Sequence, residues 1–191
     1  MSIENFFYLN VLGEIQSAEF PLGPDGSGIF IRYDIVAGDD WEMVSGVKAG
    51  ITQCANGNRS SDLIVFNMPI ECTFKSTNIH GWPQMVFSLY GTNIWGTEVN
   101  LGYARIHVPV VITNNRNSSP KAIRAPVFTP KATSMCSSII NFFANRNPEL
   151  RDPKILADGT KTKNLFTSSY GELIVSLETI TKGTEQLNFD S

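Results

Sequence analysis

Apolar and polar residues alternate with a period of two over much of the chain. Ile29, Ile31, Tyr33 and Ile35 interleave with Phe30, Arg32, Asp34 and Val36, and Met85, Phe87 and Leu89 interleave with Gln84, Val86, Ser88 and Tyr90. Gly102, Ala104, Ile106 and Val108 alternate with Tyr103, Arg105 and His107, and Leu173, Val175 and Leu177 with Glu172, Ser176 and Glu178. Successive side chains of a strand face opposite ways, so each pattern predicts a strand with one face on a core. Residues 6–12, 14–20, 62–66 and 70–75 are further strand candidates. Turn chemistry separates these runs at short intervals: Gly23-Pro24-Asp25-Gly26, Gly57-Asn58, Gly81-Trp82-Pro83 and Gly91-Thr92-Asn93. Many short strands punctuated this way predict an antiparallel sandwich.

One stretch changes period. Met135, Ile139, Ile140, Phe142 and Phe143 fall at helical spacing across residues 133–145, with Thr133 or Ser134 placed to cap the start and Pro148 to stop the run. A second short helix is predicted over residues 153–157, ended by Gly159. The pattern as a whole predicts an all-β antiparallel sandwich with a short helical insertion before its last strand. It forms a single domain over residues 6–183, with short termini at 1–5 and 184–191.

Composition narrows the classes. The 191 residues include 12 Phe, 5 Tyr and 3 Trp, and only 17% are charged, which argues against disorder. No apolar run nears the ~20 residues of a membrane-spanning helix. Glu4 stands where a secretory leader is basic, so the start of the chain predicts no export. Cys54, Cys72 and Cys136 are odd in number and widely spaced, which favours reduced thiols on the cytoplasmic side. A net charge of −3 gives no bulk attraction to nucleic acid.

The charge is nevertheless uneven. Between residues 116 and 163 nine cations (Arg116, Lys121, Arg124, Lys131, Arg146, Arg151, Lys154, Lys161 and Lys163) stand against three acids, leaving six cations against fifteen acids elsewhere. Packed on one side, this stretch would be a basic surface for an acidic partner or an anionic membrane; spread out, it is a solvated helical face with loops.

Candidate chemistry is sparse. His107 sits in a strand pattern and His80 in a turn, and the chain has neither a G-x-S-x-G elbow nor a C-x-x-C pair. Asp25, Asp39 and Asp40 come nearest to a calcium set, but turn capping explains them as well. Nothing here predicts catalysis, a metal site, a cofactor or a small-molecule substrate. Trp41, Trp82 and Trp95 stand at loop ends, where they could plug the sandwich or stand exposed to a sugar or a lipid interface.

Thr73-Phe74-Lys75-Ser76-Thr77-Asn78 followed by Gly81-Trp82-Pro83-Gln84 resembles the signature of the B9-domain proteins of the ciliary transition zone. Asn67-Met68 stands before Pro69 where that family usually has Phe. Flanking matches include Gly13-Glu14-Ile15, Asp40-Trp41, Gly50-Ile51-Thr52-Gln53, Leu101-Gly102-Tyr103, Asn147-Pro148-Glu149 and Gly171-Glu172-Leu173, spanning about residues 13–182. The resemblance implies a C2-like β-sandwich and no enzymatic activity. It implies a scaffold subunit of the Meckel-syndrome (tectonic-like) complex at the cilium base, which supports ciliogenesis and limits which membrane proteins enter. Its partners would be other B9-domain proteins, and its place the cytoplasmic side of the transition zone and basal body. Calcium-independent phospholipid binding is the alternative. Lys75, Ser76, Thr77, Asn78, Gly81, Trp82, Pro83 and Gln84 form the candidate loop, for structure or for partner contact. Within it Trp82 is expected to bury its ring and donate its N–H to a nearby carbonyl.

Overall fold

The computed structural model of the chain describes residues 6–20, 28–57, 62–92, 96–110, 120–131, 149–159 and 167–183. The alternating runs are strands. In chain order they are β1 (Phe7–Glu19), β2 (Phe30–Val36), β3 (Glu42–Gly46), β4 (Ala49–Ile51), β5 (Leu63–Ser76), β6 (Gln84–Thr92), β7 (Glu98–His107), β8 (Lys121–Pro130) and β9 (Thr167–Lys182). All pairings are antiparallel, in the order β3-β5-β1-β9-β8-β7-β6-β2-β4. β7 and β8 share one register pair, Tyr103 opposite Phe128, so the sheet is nearly parted there. The two halves face each other across one core, to which Leu9, Phe74 and Val175 contribute from one layer and Ile31, Phe87 and Ile106 from the other. This is an antiparallel β-sandwich, as the alternation predicts.

Two pairs of predicted strands are continuous. Residues 6–12 and 14–20 merge into β1, with Gly13 an ordinary pair of Ile70 and Leu177. Residues 62–66 and 70–75 merge into β5, where the ladder with β1 slips between Met68 and Val65. Asn67 takes the slip with φ +47°, a left-handed conformation that Asn tolerates better than most residues. Pro69 survives in this strand because β3 pairs only with residues 72–75 of β5, leaving an open flank beside it.

The helical insertion is not borne out. Among the described residues there is no α-helix; residues 133–145 lie outside them. Residues 153–157 form a 3₁₀ turn, with the Asp152 side chain accepting from the Lys154 N–H and the Asp158 N–H closing onto the Ile155 carbonyl. A single such turn is what Pro at its start and five residues allow. Within the basic stretch, Lys121–Pro130 is a strand of the sandwich itself.

β6 departs from one-faced burial: Val86 and Ser88, which point away from the main core, are buried along with Met85 and Phe87. Residues 149–159 lie over them, with Leu156 packed on Val86 and Tyr103. That segment is tied by the Leu150 N–H donating to the Tyr103 hydroxyl (2.8 Å), by Arg105 donating to the Leu156 carbonyl (2.7 Å) and by the Tyr90 hydroxyl donating to Glu149 (2.9 Å). Burial pushes the Tyr103 hydroxyl up to about 12, against a smaller opposing effect of the Leu150 N–H.

Candidate functional site: the tryptophan corner and the basic residues

The candidate loop begins with the last two residues of β5. Lys75 Nζ pairs with Glu42 Oε2 at 2.9 Å and lies 5.2 Å from the centre of the Phe6 ring. Ser76 is buried; its hydroxyl donates to the Asn78 carbonyl (2.7 Å) and accepts from the Asn78 N–H (3.2 Å). The Asn78 side chain then works in both directions. Its Oδ1 accepts from the His80 N–H (2.8 Å) and its Nδ2 donates to Asp40 Oδ2 (2.6 Å). Ser and Asn supply such local bonds because their short polar side chains reach the nearby backbone. Thr77 is exposed.

Gly81 reverses the chain with φ +68°, and its carbonyl accepts from the Gly38 N–H at 2.8 Å. A Cβ at Gly81 would stand 2.5 Å from the Gly38 Cα, so two glycines meeting backbone to backbone are what this crossing requires. Trp82 follows, its Nε1–H donating to the Val108 carbonyl (2.8 Å) while the Val108 N–H donates to the Pro83 carbonyl (3.1 Å). Pro83 is buried. Gln84 opens β6 and donates from Nε2 to the Ala157 carbonyl (3.2 Å); its Oε1 is buried without a partner among the described residues.

Trp41, only 4% exposed, lies beneath all of this. Its Nε1–H donates to the His80 carbonyl (2.7 Å), and its ring meets Trp82 edge to face at 5.1 Å and Phe7 at 5.3 Å. Both indoles therefore plug the end of the sandwich with their N–H groups engaged, Trp41 fully and Trp82 half-buried. Trp95 lies outside the described residues. Sequence reading finds the loop but not its partners Gly38 and Asp40. The available signal is Asp39-Asp40-Trp41, a turn followed by an aromatic. His80 contributes its carbonyl, and both its side chain and that of His107 are exposed. Among the described residues no three of His, Cys, Asp and Glu gather as a metal site.

The family model B9-C2, described as "Ciliary basal body-associated, B9 protein", matches residues 9–180. The chain belongs to the B9 family. B9 domain-containing protein 1 of Drosophila melanogaster is 42% identical over 97% of this chain and 78% of its own length. The human protein of that name is 35% identical over 97% of this chain and 87% of its own length. Human B9 domain-containing protein 2 is 26% identical over 85% of this chain and 87% of its own. Among solved structures, a C2 domain of plant extended synaptotagmin 1 aligns with 90% of this chain and 92% of that one, at 13% identity and a TM-score of 0.39. The B9-C2 name couples the family to the C2-like sandwich, in keeping with the architecture above.

In this B9 chain the basic residues do not share one insertion. Lys121 and Arg124 lie on β8, Lys131 just beyond it, and Arg151 and Lys154 on the segment over the opposite layer. Arg116, Arg146, Lys161 and Lys163 lie outside the described residues. Arg124 pairs with Glu172 at 3.1 Å and lies 3.9 Å from Glu19, and Lys154 pairs with Asp34 at 3.1 Å. Two of the five described cations thus already face carboxylates of the chain itself.

Proposed function

We propose that this B9 chain is a non-enzymatic scaffold subunit on the cytoplasmic side of the ciliary transition zone. It supports ciliogenesis and the membrane diffusion barrier by binding other B9-domain proteins. Family membership supports the ciliary setting. One observation carries the scaffold reading: most of the candidate loop is engaged with the chain itself. Ser76, Asn78, Gly81 and Trp82 each close a bond within the corner. Such a loop stiffens the body and leaves its exterior for partners.

Co-expression with the two other B9-type subunits, followed by size-exclusion chromatography, tests this. Co-elution at native concentration is expected; separate migration of this chain would overturn the reading. The phospholipid alternative has less behind it, since Arg124 and Lys154 are paired internally. Flotation with anionic liposomes at low salt that fails at high salt would restore it.

A further inference from the structure

The segment over β6 is held the way a bound peptide is held. Register places Asp34, Val86 and Arg105 in one row across β2, β6 and β7, and Ser88 and Tyr103 in the next, on the outward side of that layer. Three side chains of this face reach main-chain atoms of residues 149–159. Tyr103 accepts from the Leu150 N–H (2.8 Å), Arg105 donates to the Leu156 carbonyl (2.7 Å) and Gln84 to the Ala157 carbonyl (3.2 Å). Two more select side chains: Tyr90 donates to Glu149 (2.9 Å) and Asp34 pairs with Lys154 (3.1 Å). Between them Leu156 enters an apolar seat of Val86 and Tyr103, with Val36 and Phe128 packed beside it. Main-chain bonds, one buried anchor and flanking charge contacts are the means by which a folded surface recognises a short segment.

The grip on this occupant is thin. Of its eleven residues Leu156 alone is buried, while Arg151, Asp152 and Lys154 are exposed. Its contacts form a small cluster apart from the main core, so the two layers keep their own packing without it. Gln84 Oε1 is buried with no partner among the described residues, so the segment leaves an acceptor of the face unused. A segment with so few buried contacts opens readily and yields to a better-matched ligand.

We infer that the outward face of β2, β6 and β7 is a peptide-recognition groove, filled here by the chain's own residues 149–158 and open to a partner protein's segment of like chemistry. That segment carries an acidic residue for Tyr90, a leucine for the Val86–Tyr103 seat and, two positions before the leucine, a cation for Asp34. The occupant's chemistry is read from the segment seated in the groove. A second copy of this chain is a poorer source. Only seven residues, 160–166, join the segment to β9, and such a link spans about 25 Å at full extension. The chain's own segment is thus a tethered competitor, and its effective concentration sets what a partner must exceed. The groove goes beyond the scaffold reading, and it stands or falls whether or not B9-type chains co-elute.

The test titrates a fluorescently labelled peptide of residues 149–159 with the full chain as wild type, Leu156→Asp and Leu156→Asp/Arg105→Ala, read by anisotropy. Leu156→Asp withdraws the anchor of the chain's own segment and leaves the groove intact. Melting curves confirm folding, and Leu156→Ala replaces Leu156→Asp should it not fold. The peptide is expected to bind the Leu156→Asp chain tighter than wild type by roughly tenfold or more, and Arg105→Ala to reverse most of that gain. Panning a random peptide library on the Leu156→Asp chain should enrich leucine with a cation two places before it. A folded Leu156→Asp chain that ignores the peptide would overturn the groove, and equal affinity for wild type would overturn the competition. A consensus lacking the leucine and the cation would overturn the stated chemistry. A wild-type dimer dispersed by the peptide would show a second copy to be the occupant and overturn the choice of partner.

Discussion

Trp41 and Trp82 touch edge to face, yet their substitutions are expected to differ. Trp41 is fully buried against Phe7, Phe74 and Trp82, so Trp41→Ala should cost about 3–5 kcal/mol in urea denaturation. Trp82 is half-buried, and Trp82→Phe, which keeps an aromatic ring but strands the Val108 carbonyl, should cost about 1–2 kcal/mol. A smaller loss for Trp41→Ala than for Trp82→Phe would show that the corner is not built as described. Cys72 gives a pH dependence. Burial, with a smaller contribution from the Glu71 carboxylate, raises its thiol from 9.0 to about 11. The folded state therefore holds the proton more tightly than the unfolded one. The stabilisation is complete below pH 9 and is lost between about pH 9 and 11. Denaturation across that range should show the decline in wild type and a flatter profile in Cys72→Ala. At this scale the N–H donation of Trp82 is readable from sequence, because Gly81 and Pro83 frame it, whereas its ring, expected to be buried, is only half so. Asp40 and Gly38 are not readable, because their partners Asn78 and Gly81 lie about forty residues away and no local pattern announces such a meeting.

β3 and β4 are unlike the other strands. From Glu42 to Ile51 no side chain is buried, and Val44, Val47 and Ile51 are all more than half exposed. Backbone pairing to β5 and β2 holds this stretch, aided by Gly46, whose missing Cβ lets it lie against the Glu71 carbonyl. Backbone bonds without side-chain burial open easily. Amides of residues 42–51 are expected to exchange with deuterium faster, by orders of magnitude, than those of β1 and β9; equal protection would contradict this account. The same property explains why these strands are invisible to a search for alternation: with nothing buried, there is no period. β8 escapes that search for another reason: Ile123, Ala125 and Val127 do alternate, but Arg124 and Pro126 between them and Lys121 and Pro130 at the ends make the run look like part of a basic loop. β1 and β5 are readable as strands but not as single ones, because Gly13 and Asn67-Met68-Pro69 look like breaks when the neighbours that absorb them are unknown.

Among the described residues of the sandwich, one layer is overlaid by residues 149–159 and the other carries no such segment. The alternation in β6 reads as a strand with one wet face; the segment that covers it, residues 149–159, carries too few apolar residues to declare itself, chiefly Leu150, Leu156 and Ala157. Strand order has a further consequence. β1, β2 and β3 come first in sequence, yet each pairs only with strands from beyond Val47: β1 with β5 and β9, β2 with β6 and β4, β3 with β5. Cutting the peptide between Val47 and Lys48 would therefore leave two pieces laced through one another, neither owning a complete core. Fragments 1–47 and 48–191 should each lack fixed structure in isolation, and mixing them should restore the circular dichroism of the intact chain. The protein is in effect its own two-part complementation system, with the split site already marked by the short link that crosses from one layer to the other.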